Sequence, residues 1–244
     1  NVASIHDRVV FKQAGLDQKL LSDPYRRRSL IDHFFAPDVS LPDLVGGKAV
    51  EHGDFLSGIY DSRIRRNPDR VQLVMTRSGW VGEYLIKMTK TVSISQDKPS
   101  LDVRYLLEEL PQDFPFWFAV ELGFAGMAGN APDRFFYTNN ERNLGPLEAE
   151  LQLEATELIG LVDGWLGLDV GLNLSKAATV WTFPIQSVSQ SEGGFELVHQ
   201  STTVVPHWPV EPDPRGRWSV ELSLALDTAA ARSKHEASVL TIQN

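Results

Sequence analysis

The chain has 244 residues, a formal net charge of −9, 42% apolar and 23% charged residues, 18 Gly, 14 Pro and no Cys. This composition excludes wholesale disorder, collagen and coiled coil, and 32 acidic against 23 basic side chains argues against nucleic acid or an anionic membrane as partner. The lack of Cys removes disulfides, thiolate catalysis and Cys-ligated metal.

The most apolar stretch, Phe114 to Ala128, is too short for a bilayer span and carries Glu121 near its middle. The chain opens on Asn1-Val2-Ala3, with neither an initiator Met nor a basic-then-apolar leader, so no signal peptide is visible and it reads as a fragment of a larger protein; the expected compartment is the cytoplasm.

In chain order, residues 1–54 form an irregular lead-in. Val9 to Phe11 suits a short strand, Ser29 to Phe35 suits one or two helical turns between Pro24 and Pro37, and Leu41 to Gly47 is a loop. From Phe55 onward period-two alternation recurs between turn signals. Strands are predicted over Phe55–Ile64, Arg70–Thr76, Glu83–Ser95, Ser100–Glu108, Phe116–Gly123, Arg134–Thr138, Glu148–Glu157, Gly164–Leu174, Ala178–Pro184, Gly194–Val204 and Trp218–Leu226. Residues 228–244 form a tail, a short helix or a frayed end. So many strands with hardly a helix between them exclude parallel crossovers. The fold class is all-β: a large antiparallel sandwich with few short helices, filling 1–244 as a single domain.

Alternation separates each strand into two faces. Phe116, Phe118, Val120, Leu122 and Phe124 make a core wall, as do Leu166, Leu168, Val170, Leu172 and Leu174. The reverse faces each set a Trp four residues ahead of an acid, Trp117 with Glu121 and Trp165 with Asp169. Aromatic platform and carboxylate lie about 13 Å apart along a strand and together suit a pyranose, which offers apolar C–H patches and a ring of hydroxyls. Trp80 follows a Ser78-Gly79 turn. Trp208, between Pro206 and Pro209, is the least core-like Trp, fit to cap the core edge or meet a ligand.

Six His residues form no HExxH, and no GxSxG, phosphate loop or dinucleotide fingerprint occurs, so neither metal nor cofactor is expected. The Glu148, Glu150, Glu154 row reads as a solvent face. Arg26 to Arg28 read as solvated loop charges.

The segment Trp181 to Glu196, with Gln200 and Pro206-His207-Trp208-Pro209, closely resembles the C-terminal domain of glycoside hydrolase family 57 enzymes, the α-amylase and 4-α-glucanotransferase group. Asp23-Pro24-Tyr25-Arg26-Arg27-Arg28-Ser29-Leu30-Ile31-Asp32-His33-Phe34 and Asp163-Gly164-Trp165-Leu166-Gly167 are similar to it too, so the likeness covers most of the chain. The resemblance implies a β-supersandwich like that of galactose mutarotase, packed against a catalytic barrel of the same polypeptide. That barrel's nucleophile and acid match no position here. The expected role is a non-catalytic module that shapes an α-glucan cleft and meets α-glucan or maltooligosaccharide. The candidate carbohydrate-binding residues are Trp117, Glu121, Trp165 and Asp169 from the faces, and Trp181, Glu192, His207 and Trp208 from the motif. Two alternatives stand beside it: an aldose mutarotase or epimerase using His207 as acid and Glu121 as base, or a purely structural interface domain.

Overall fold

The computed structural model describes residues 16, 23–191 and 194–233. Twelve strands form one continuous antiparallel ladder that folds over on itself: β1 (Ile31–Phe35), β2 (Asp61–Asn67), β3 (Arg70–Val81), β4 (Tyr84–Ser95), β5 (Ser100–Glu108), β6 (Trp117–Ala125), β7 (Arg134–Thr138), β8 (Gly145–Pro146), β9 (Leu151–Asp163), β10 (Leu168–Ser191), β11 (Gly194–Pro209) and β12 (Trp218–Asp227). Their order is β1-β6-β11-β10-β12-β5-β4-β3-β2, with β9, β7 and β8 continuing from β10.

The fold-over happens in β10, which pairs with β12 over Asp169–Leu174 and with β11 over Thr179–Ser191. Its pairing with β9 breaks register between Asn173 and Ala178 and again before Val180, and such irregularities bend a strand. Two layers result. The first holds β1, β6, β11 and the end of β10; the second holds β2, β3, β4, β5, β12, the start of β10 and β7. Between them lies the core, where Phe118 of β6 meets Tyr105 of β5 at 5.1 Å and Trp218 of β12 at 5.8 Å, ring centre to ring centre. Val120, Leu122, Val180 and Val204 of one layer join Ile86, Met88, Leu107 and Val220 of the other, all buried. Each such side chain contributes about 1.5–3 kcal/mol.

Ser29 to Phe35 forms no helix. Ile31–Phe35 pairs with β6, Ile31 opposite Glu121 and Phe35 opposite Trp117, and Asp32 through Phe35 are buried on both faces. A strand covered on both sides loses its polar alternation, which is why its pattern misleads. Polar staples hold it. Asp32 meets Lys90 Nζ at 2.6 Å and accepts from Tyr60 Oη at 2.7 Å, while Lys90 also donates to the Leu30 carbonyl at 2.8 Å. Loop residues 36–49 then carry α1 (Leu41–Val45), started by a Ser40–Asp43 capping box, over the outer face of the first layer, where Leu41 and Leu44 pack on Phe35, Trp181 and Phe183.

Other boundaries shift. The strand predicted over Phe55–Ile64 begins only at Asp61; Gly164–Leu174 and Ala178–Pro184 are parts of one strand that begins at Leu168; Trp80 stands inside β3. Of the predicted tail, 229–233 is a helical turn. Val9 to Phe11 lies outside the described residues.

The second layer is wider than the first. On its inner face at the β2–β3–β4 end, Ile64, Val71 and Ile94 remain exposed among the described residues.

Candidate functional site

On the outer face of the first layer the strand register gathers Trp117, His207 and Trp181. The Trp117 and His207 rings stack at 5.2 Å and 23°, and His207 and Trp181 lie 4.1 Å apart. Trp117 is half-buried, while His207 and Trp181 are buried, Trp181 beneath Leu41 and Leu44 of α1, so the expectation that these two meet a sugar is corrected. Burial pushes the His207 imidazole down to about 4, so it is neutral at pH 7. Beside it Glu154 accepts from Thr179 Oγ1 at 2.7 Å and from Gln152 at 3.1 Å.

Glu121, on the same face of β6, faces no solvent. It is 1% exposed, accepts from Tyr25 Oη at 2.5 Å and Arg27 Nη1 at 3.1 Å, and approaches His33 Nε2 at 3.5 Å. His33 in turn meets Glu51 at 2.8 Å. Desolvation opposes charge on both groups, yet these hydrogen bonds outweigh it, raising His33 to about 9 and holding Glu121 below the ordinary carboxylate range. Two cations and two carboxylates thus neutralise one another and clamp the Asp23–Ser29 segment onto β6. A cavity of about 90 Å³, lined by Tyr25, His33, Phe35, Leu44 and Glu51 among others, remains beside the clamp. The expectation that Glu121 projects with Trp117 toward a sugar is corrected: the acid is consumed internally, and it is equally unavailable as the base of an epimerase.

Trp208 also belongs inside. It is 2% exposed, 6.4 Å from Phe118 and 6.0 Å from Trp218, and its Nε1 donates to the Lys176 carbonyl at 3.1 Å. Flanking prolines do not remove it from β11, because alternation sends Val204 and Trp208 inward and Val205 and His207 outward. Glu192 lies outside the described residues.

The second Trp–acid pair is split differently. Trp165, 73% exposed, sits in the Gly164–Gly167 turn rather than on a strand, so it and Asp169 do not share a strand face. Asp169 occupies the outer face of the second layer and accepts from Tyr137 Oη at 2.6 Å. The Tyr137 ring lies over Gly160, its register partner on β9, and its hydroxyl reaches Gly171 on β10. Burial first, and then Asp169 beside it, raise the Tyr137 phenol above its ordinary range, so it stays protonated and donating.

From Asn173, two residues beyond Gly171, the same face continues as a groove of about 800 Å³. One cross-strand row runs Asn173, Ser223, Asp102, Ser93, Gln72, Arg65. A parallel row holds Glu221, Arg104, Thr91 and Val74. Short hydroxyl and amide side chains dominate. Of its charged groups, Asp102 accepts from Ser223 Oγ at 2.6 Å and Arg104 lies 3.5 Å from Glu221, while Arg65 and Arg70 add two further cations. No cluster of metal-ligating side chains occurs among the described residues, and no described helix is long and apolar enough to cross a membrane.

The sequence matches the family described as "Alpha-amylase/4-alpha-glucanotransferase, C-terminal" over residues 1–222. The chain belongs to that family. Curated relatives include "Alpha-amylase 1" of Dictyoglomus thermophilum, 27% identical over 218 residues, covering 88% of this chain and 30% of the relative. A "4-alpha-glucanotransferase" of Thermococcus kodakarensis is 27% identical over 221 residues, covering 88% and 29%. The crystal structure of 4-alpha-glucanotransferase from Thermococcus litoralis superposes with TM-score 0.61 at 24% identity over 87% of this chain and 29% of that one. A putative aldose 1-epimerase of Escherichia coli K12 superposes with TM-score 0.52 at 12% identity over 74% and 72%, a likeness of fold alone. The chain spans about 30% of the length of the family members it matches.

Nothing in the linear sequence singles out Tyr137 or the groove. Thr89, Thr91, Ser93 and Ser95 alternate with apolar residues and could have marked a hydroxyl-bearing face. Which strands lie side by side, and hence which hydroxyls align, comes only from the register.

Proposed function

We propose that this chain is the non-catalytic C-terminal module of a larger α-glucan-processing enzyme, an α-amylase or a 4-α-glucanotransferase, and that it binds carbohydrate on the outer face of its second layer. The groove itself carries this reading: a concave, open face on which hydroxyl and amide side chains outnumber the charged ones, with Tyr137 and Asp169 farther along the same sheet face, beyond Gly171. A neutral polyol exchanges hydrogen bonds with such a surface without the desolvation cost of an unpaired charge. Trp165 stands exposed in the adjoining β9–β10 turn as a second aromatic surface. The uncovered Ile64, Val71 and Ile94 suit contact with the catalytic part of the same polypeptide, because exposed apolar clusters mark contact surfaces.

Calorimetric titration of the 244-residue chain with maltoheptaose, and with cellohexaose as the β-linked control, tests this. Sites with one or two stacking rings give dissociation constants of roughly micromolar to millimolar. Binding of maltoheptaose without its cleavage supports the reading; no heat up to tens of millimolar reduces the module to scaffold.

A further inference from the structure

Resting on that reading, we infer that a linear, uncharged α-glucan crosses β10, β12, β5, β4 and β3 of the second layer, with one glucosyl ring seated on Tyr137 and the rest stepping two residues along the strands onto the row that starts at Asn173. Three features argue for this path.

The first is pitch. Neighbouring strands are about 4.8 Å apart, so the six-strand row from Asn173 to Arg65 spans about 24 Å, room for several glucosyl units in succession. Each strand contributes one outward polar group to the row, and the chain of donors and acceptors is unbroken from β10 to β2.

The second is the ring platform. Tyr137 is pinned by its hydrogen bond to Asp169 and lies over Gly160, where a β-carbon would come within 2.0 Å of Cε1 and Cζ. Its orientation is therefore fixed before any ligand arrives, which lowers the ordering cost of stacking a sugar on it. Gly171, Ala225 and Ser100 follow Gly160 across the sheet, leaving a low floor between Tyr137 and the groove.

The third is charge. The groove holds Arg65, Arg70 and Arg104 against Asp102 and Glu221, with no lysine, and its carboxylates already have partners. Three arginines against two carboxylates leave the face close to balance, so a polyanion gains little net attraction there, and a neutral polymer leaves the Asp102–Ser223 and Arg104–Glu221 contacts intact.

Two variants, one at the Tyr137 end and one within the row, test the inference: Tyr137→Ala removes the platform and Ser93→Trp obstructs the groove floor. Dissociation constants for maltoheptaose are measured by calorimetry, and circular dichroism melting verifies that each variant is folded. At least a tenfold weakening in Tyr137→Ala, a smaller two- to fivefold weakening in Tyr137→Phe, which keeps the ring but loses its pin to Asp169, and at least fivefold in Ser93→Trp are expected. Should Tyr137→Ala not fold, Ser93→Trp and Tyr137→Phe carry the decision. Wild-type affinity in Ser93→Trp and in folded Tyr137→Ala overturns the path while leaving the carbohydrate-binding module standing. Absence of maltoheptaose binding by the unaltered chain overturns both.

Discussion

The Tyr137 ring covers Gly160 so closely that a methyl group on the glycine would collide with it, a β-carbon meeting Cε1 and Cζ at 2.0 Å. At Gly171, on the next strand, the nearest neighbour of an added β-carbon is the Tyr137 hydroxyl at 3.6 Å. The two glycines therefore predict opposite outcomes. Gly160→Ala should displace the ring, lowering stability by about 1–3 kcal/mol as overpacking does and weakening maltoheptaose binding. Gly171→Ala should stay within about 1 kcal/mol of the unaltered chain. Urea unfolding and calorimetry on both variants check this pair.

A second prediction concerns the clamp. Glu121→Gln removes the carboxylate shared by Tyr25, Arg27 and His33 while the two cations stay largely buried. Breaking a buried pair on one side costs about 3–5 kcal/mol, and the His33 imidazole should fall from about 9 toward its ordinary value. Urea unfolding gives the first quantity and imidazole NMR titration the second. An unchanged His33 titration would contradict the assignment of Glu121 as its partner.

The two buried histidines set opposite pH limits. His33 is raised to about 9, so its contribution is complete below the unfolded value near 6.5 and disappears as pH rises through 9. His207 is lowered to about 4, so its native environment is undisturbed above 6.5 and stability falls as pH drops from 6.5 to 4, where the unfolded chain binds the proton first. Each limb amounts to on the order of 2–3 kcal/mol. Stability from urea midpoints should therefore peak near pH 6.5. Replacing His207 by Phe should flatten only the acid limb, and replacing His33 by Gln only the alkaline one.

The tryptophans yield a third contrast. Trp208→Ala should cost about 3–5 kcal/mol through its cavity and lost ring contacts, whereas Trp165→Ala, in an exposed turn, should stay within about 1 kcal/mol. Thermal melts of the two variants decide it.

These cases explain how much of the molecule was legible in the sequence. Period-two alternation identified β5 and β7 to the residue, because each has a buried and an open face with clear turns at its ends. It failed at β1, where Asp32 and His33 are buried by ion pairs and the pattern loses its polar side. It placed Glu121 on the correct face of β6 but could not foresee that a segment about ninety residues earlier, Tyr25 and Arg27, would close over it. Tyr137 presents no signal within its five-residue strand; its importance comes from Gly160 and Gly171, brought beneath it by pairing.

Backbone amide NMR of the isotopically labelled chain, titrated with maltoheptaose, decides whether α-glucan meets the outer face of the second layer. Shift changes should be confined to Tyr137, Gly171, Asn173, Ser223 and Ser93 and their neighbours, with His207 and Glu121 unmoved. Changes centred on Trp117 and His207, or none at saturating sugar, would contradict it.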